Sequence, residues 1–145
     1  MGSWNPDLKE YVSRKFPFHL LDPNIPIHIK EFFCLILSVK MWGVHWAGKV
    51  CQIFCDNDAV CDVVTHMKPK DPQMQRYLRE FLYWVCKYNF HPIVSKIGTR
   101  ENDVADFLSR NFCPDDAKVF FERQQIPPQK QIAIADDYFD LVADW

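Results

Sequence analysis

The chain has 145 residues, one domain's worth, and at 48% apolar and 15% aromatic it can build a core. Its formal charge of −2 excludes a global basic field, so any nucleic-acid binding has to be local. It has no run of about 18 apolar residues, so no membrane-spanning helix is expected. The N-terminal MGSWNPDLKE lacks a basic-then-apolar leader pattern, and six cysteines without one point to reduced thiols and an intracellular protein.

Residues 1–26 are punctuated by Pro6, Pro17, Pro23 and Pro26, which leaves no room for a long helix. They read as an irregular, wrapping segment in which Tyr11 to Leu20 can supply at most one edge strand. From Ile27 to Trp42 the spacing turns helical, with Pro26 at the start, Gly43 at the end, and Phe32, Leu35, Ile36, Val39 and Trp42 on one face. Phe33 and Leu37 widen that face and predict a helix buried on more than one side. Glu31 sits one turn in, with two readings. It is either a solvent-facing acid near a positive helix end, or an acid held against the apolar surface for a purpose.

Lys49 to Asp56, KVCQIFCD, predicts a short buried strand after the breaker Gly48, stopping on Asp56-Asn57-Asp58. Cys51, Cys55, Cys61 and His66 follow no common zinc spacing, and they read as ordinary core cysteines. Asp58 to His66 reads as a short helix. A second helix runs from Pro72 to Tyr88, with Asp71 as N-cap and Met74, Leu78, Phe81, Leu82 and Val85 inward. Ile93, Val94 and Ile97 mark a second strand, and strand–helices–strand predicts a parallel pair. Thr99 is a plausible N-cap for a helix over Arg100 to Arg110 that sets Asp106 among apolar neighbours. Residues 112–145 read as a helical extension: a helix from Pro114 to about Arg123, a short strand around Ile132 and Ile134, and an amphipathic helix from Asp136 to Trp145.

Chemistry in an open α/β sheet collects at the carboxyl ends of strands. Asp56 is at such an end, and Glu31 and Asp106 lie near the starts of two helices that can meet it. Three converging carboxylates repel one another unless they hold hard divalent cations. The expectation is therefore a cluster of Glu31, Asp56 and Asp106.

Three segments, IHIKEFFCLILSVKMWG, VCQIFCDNDAV and KIGTRENDVADFLSRN, together resemble the ribonuclease H domain of retrotransposon reverse transcriptases, with a DIRS-like flavour, over residues 27–111. The last segment is the most specific, with Asn102, Ala105, Asp106, Leu108, Ser109 and Arg110 in place. The resemblance implies a ribonuclease H-like α/β fold and cleavage of RNA in RNA·DNA hybrids by two Mg²⁺ ions, with Mn²⁺ as substitute. It assigns Glu31, Asp56 and Asp106 as catalytic and metal-binding carboxylates, and it prefers Asp56 to Asp58. Lys68, Lys70, Arg76, Arg79, Lys96 and Arg100 are the candidates for a nucleic-acid-binding face, against the plainer reading of a solvated surface.

Two departures stand out. The family's first strand, which carries a fourth catalytic acid and lies beside the central strand, has no counterpart, since Asp7 and Asp22 sit in the wrong contexts. The family's histidine before the last motif is Lys96 here. The missing acid implies an inactive or weak enzyme, whereas loss of the loop histidine can leave activity, and the alternative is a transposon-derived module that binds nucleic acid or protein without catalysis. The sheet would also be incomplete on its N-terminal side. Its uncovered edge invites self-association unless residues 1–20 or a second chain cover it.

Overall fold

A computed structural model describes residues 1–98, 100–110 and 117–142. Helix α1, Ile27–Trp42, is the centre of the molecule. Pro26 starts it, and Ile29, Phe32, Phe33, Leu35, Ile36, Leu37 and Val39 are all buried, so it is enclosed on more than one side as its sequence predicts. Each such large apolar side chain contributes about 1.5–3 kcal/mol when fully buried. Phe32 and Phe33 meet Tyr77 and Phe81 of α3, Pro72–Tyr88, with ring centroids about 6 Å apart. At the end of α1, Gly43 lies so close to the Tyr88 ring that a Cβ would collide with it.

Strand β3, Val50–Cys55, pairs in parallel with β4, His91–Lys96, in the register Gln52↔Ile93 and Phe54↔Ser95. The connection carries α2, Asp58–His66, and α3, as the crossover pattern requires. Both helices are locally encoded. Asn57 Oδ1 accepts from the N–H groups of Ala59 and Val60 at 2.9 and 3.2 Å, and Asp71 Oδ1 from those of Gln73 and Met74 at 2.8 and 3.0 Å. Their C-terminal ends turn through Met67 and Asn89 in the left-handed region. The architecture is thus α/β, a parallel strand pair with flanking helices.

Several expectations are corrected. The first 26 residues are not irregular throughout: β1, Gly2–Asn5, and β2, Glu10–Ser13, form an antiparallel hairpin. Nor is β3 buried on both faces. Val50, Gln52 and Phe54 are exposed, while Cys51, Ile53 and Cys55 turn toward the core. Only a single bridge between Tyr11 and Gln131 forms in place of a strand at 132–134. The described part of the C-terminal stretch is a 3-10 turn over Asp136–Phe139, not the expected helix. Thr99, residues 111–116 and residues 143–145 lie outside the described residues, so the Thr99 cap, the start of the later helix at Pro114 and Trp145 do too.

The chain after β4 closes the fold from two directions. Helices α4, Asp103–Arg110, and α5, Lys118–Gln124, build a second small core with β2, in which Tyr11, Leu108, Phe121 and Ile126 are buried. The last turn is strapped across α1 and α3. Lys40 Nζ donates to the carbonyls of Tyr138 and Asp140 at 2.6 and 2.8 Å, and fully buried Glu80 accepts from the Val142 N–H at 2.8 Å. Among the described residues, no helix is long and apolar enough to cross a membrane.

Candidate functional site

Strand β3 runs toward the start of α2 and ends on Asp56. On its open side a cavity of about 580 Å³ separates it from β1. The floor is one stripe of α1, Glu31, Leu35, Ser38 and Trp42, whose spacing of four, three and four keeps them on one helical face. The start of α4 forms another wall through Asn102, Ala105, Asp106 and Ser109. Glu31, Asp56 and Asp106, 75 positions apart at their extremes (106 − 31), therefore line a single cavity.

Their environments differ. Glu31 is half-buried, and its Oε2 is buried without a hydrogen-bond partner. Burial raises its pKa above the usual carboxylate value, a hydrogen bond from the Asn57 side chain pulls it back, and the negative charge of Asp56 raises it again. Of the two readings, Glu31 takes the one against the apolar surface, with one carboxylate oxygen buried at the cavity. Asp58, by contrast, is exposed at the start of α2 and paired with Lys96 at 2.6 Å. Asp56 is the acid that faces Glu31 and the cavity. Asp106 is turned into a helix-surface pair, where its Oδ1 accepts from Arg110 Nε and Nη2 at 3.1 and 2.9 Å.

No protein-family model matches this chain, and neither a curated protein nor a solved structure is similar to it. The site has to be read from its own chemistry.

Among the described residues, no three His, Cys, Asp or Glu side chains converge on one metal position. Two of the three acids nevertheless suit a hard divalent cation. Glu31 offers a buried oxygen with nothing to satisfy it, and Asp56 offers a second carboxylate whose repulsion a cation would relieve. Asp106 can join only by giving up Arg110. The thiols are unsuited: burial pushes Cys34 and Cys55 up to about 12 and Cys51 to about 11, so all three stay protonated at neutral pH.

The six cationic candidates fall in two places. Lys96, at the end of β4, is paired with Asp58 at the start of α2, and Arg100 is on the following loop; neither is among the residues that line the cavity. Lys68 and Lys70 are on the exposed loop beyond the far end of α2, and Arg76 and Arg79 are on the outward face of α3. Sequence reasoning missed Asn57, which caps α2 with its oxygen and whose side chain also holds the Glu31 pKa down. Its position right after the strand-ending acid was the available signal. It also set Asp7 aside. That residue lines the cavity too, but its charge is felt by Cys51, near the opposite end of β3 from Asp56.

Proposed function

We propose that this chain is a ribonuclease H-like domain of retroelement origin that binds RNA·DNA hybrid next to a divalent-cation site, with cleavage weak or lost. The observation that carries the proposal is the unpartnered, buried Oε2 of Glu31 beside Asp56, in the cavity that also receives Asp106. In this reading Glu31 and Asp56 hold Mg²⁺, or Mn²⁺ in its place, and Asn57 orients the Glu31 carboxylate. A cation held there supplies Lewis acidity at a phosphate oxygen of the RNA strand. Lys96 and Arg100 contact backbone phosphates near the acids, and Lys68, Lys70, Arg76 and Arg79 are a second, more distant set of contacts. The grip of Arg110 on Asp106 favours the non-catalytic alternative over full two-metal hydrolysis, because it occupies the third carboxylate.

The test pairs binding with cleavage. A labelled RNA·DNA hybrid is expected to bind with an affinity that falls steeply with salt, and to weaken in a Lys96→Ala, Arg100→Ala double variant. With Mg²⁺ or Mn²⁺, cleavage is expected to stay near the level of Asp56→Asn. Strong cleavage abolished by Asp56→Asn overturns the weak-activity part. Absence of hybrid binding at about 50 mM salt overturns the whole reading.

A further inference from the structure

The cavity has a second property, independent of its acids: among the described residues, it is walled by two strands that each lack a neighbour on one side. The ends of the β3–β4 ladder set its parity. His91 N–H donates to Lys49 O, and Ile97 N–H donates to Cys55 O, so the odd-numbered residues of β3 face β4. Val50, Gln52 and Phe54 therefore aim their N–H and C=O groups the other way, and Gln52 and Phe54 line the cavity on that side. The hairpin shows the same thing from the opposite wall. Met1 and Arg14 exchange both of their main-chain bonds, at 3.1 and 2.8 Å. Ser3 and Asn5 thus face β2, while Gly2 and Trp4 turn their main-chain groups away from it.

Strand β1 is layered like a sheet strand. Ser3 Oγ lies 2.9 Å from Ser38 Oγ of α1, and Gly2 sits so tightly under the α4 backbone at Ala105 and Ser109 that a Cβ has no room. The two two-stranded sheets therefore line one slot, with α1 beneath and α4 beside it. The hairpin approaches the open edge of β3 without pairing to it, so of the two expected covers, residues 1–20 or a second chain, the first lines the cavity without hydrogen-bonding to the strand.

We infer that this slot accepts a single extended peptide strand of another polypeptide, hydrogen-bonded along the free edge of β3 and facing β1. Its chemistry follows from the walls. The floor at Cys34 and Ser38 takes small side chains, Trp42 and Trp46 take apolar ones, and the end at Glu31 and Asp56 favours a basic residue. Facing three residues' worth of free main-chain groups, from Val50 to Phe54, requires about five or six residues of strand. A cavity of about 580 Å³ falls within the usual range for a bound ligand, about 300–1,000 Å³. Main-chain hydrogen bonds supply most of the contact in this mode of recognition, so the peptide's sequence matters less than its shape. A second whole copy of the chain is a poorer occupant, since its own β4 would have to share the space that β1 takes.

The probe is a capped six-residue peptide of alternating valine and threonine ending in lysine, added at about 1 mM to the full chain without divalent cation, a concentration suited to weak binding. Amide hydrogen exchange read by NMR is expected to slow at least about tenfold at Val50, Gln52 and Phe54, and to change little at Cys51, Ile53 and Cys55, because protection follows new main-chain bonds. Gln52→Pro, which removes a cavity-facing donor, and Ser38→Phe, which fills the floor, are each expected to abolish the slowing while keeping the far-UV circular dichroism. Amides at 50, 52 and 54 that are already protected without peptide overturn the inference, as does peptide that leaves them fast. The readout is main-chain protection in the absence of metal, so its failure is separate from failure of the cation site.

Discussion

Two glutamates, one on each of the central helices, are drawn from water to different degrees, Glu80 fully and Glu31 in part, and treated in opposite ways. Glu80 of α3 is 0% exposed and saturated. Trp84 Nε1 donates to it at 2.6 Å, the Val142 N–H donates at 2.8 Å, and its charge favours the ammonium of Lys40. Glu31 of α1 has a buried oxygen with no partner and another carboxylate beside it. A buried charge that only holds structure together is supplied with donors, because leaving it bare costs several kcal/mol. Glu80 satisfies that rule and ties down the tail. Glu31 breaks it at the end of a strand, where a ligand can complete it.

The largest expected effect comes from breaking the satisfied member. Glu80→Ala leaves Trp84 Nε1 and the Val142 N–H without their acceptor and should cost about 3 kcal/mol, or on the order of 10 °C in Tm, by thermal and urea unfolding. A loss under about 0.5 kcal/mol would show that the strap adds nothing, since that is the scale of an ordinary surface change. Asn57→Ala comes next. It removes the α2 cap at a cost of about 1 kcal/mol and also moves the Glu31 titration further upward, readable from the Glu31 carboxyl carbon by NMR. A cap effect with no change at Glu31 would separate two roles that are joined here.

Smallest, and opposite in sign, is Glu31→Gln. A carboxyl whose pKa is raised on folding binds its proton more tightly in the native state. Native stability therefore falls as pH rises from the unfolded value, about 4.3, through the folded one, and the penalty remains at neutral pH. Removing the charge should raise Tm at pH 7 by on the order of 2 °C, an effect below about 1 kcal/mol. The gain should vanish below about pH 4, where the wild-type group is neutral as well. Destabilisation at pH 7 would place Glu31 in the same class as Glu80.

Helices α1, α2 and α3 were legible from end to end, because everything that delimits them is local: Pro26 and Gly43, the turn at Asn57, and Asp71-Pro72. The parallel pairing of β3 with β4 followed from the crossover. The N-terminal hairpin was hidden because its strands are four residues each, with Pro6 between them, and draw their order from α4 and from Ser38. The tail misled for a related reason. Its spacing of Tyr138, Phe139, Leu141 and Val142 looks helical, yet Lys40 and Glu80 claim backbone groups of Tyr138, Asp140 and Val142 from helices far away in sequence. For the site, spacing left Glu31 between two readings, and only burial beneath the end of β3 decides between them. The exposed face of β3 was also beyond reach of the sequence, since Val50 and Phe54 are residues that ordinarily signal burial.

The most direct test is a pH titration of the Glu31 carboxyl carbon by NMR, with and without 10 mM Mg²⁺, in wild type and in Asp56→Asn, at a concentration chosen to saturate a weak site. The account predicts an elevated midpoint that Mg²⁺ drives down in wild type, and a much smaller Mg²⁺ effect once Asp56 is gone. A midpoint that Mg²⁺ leaves in place would contradict it.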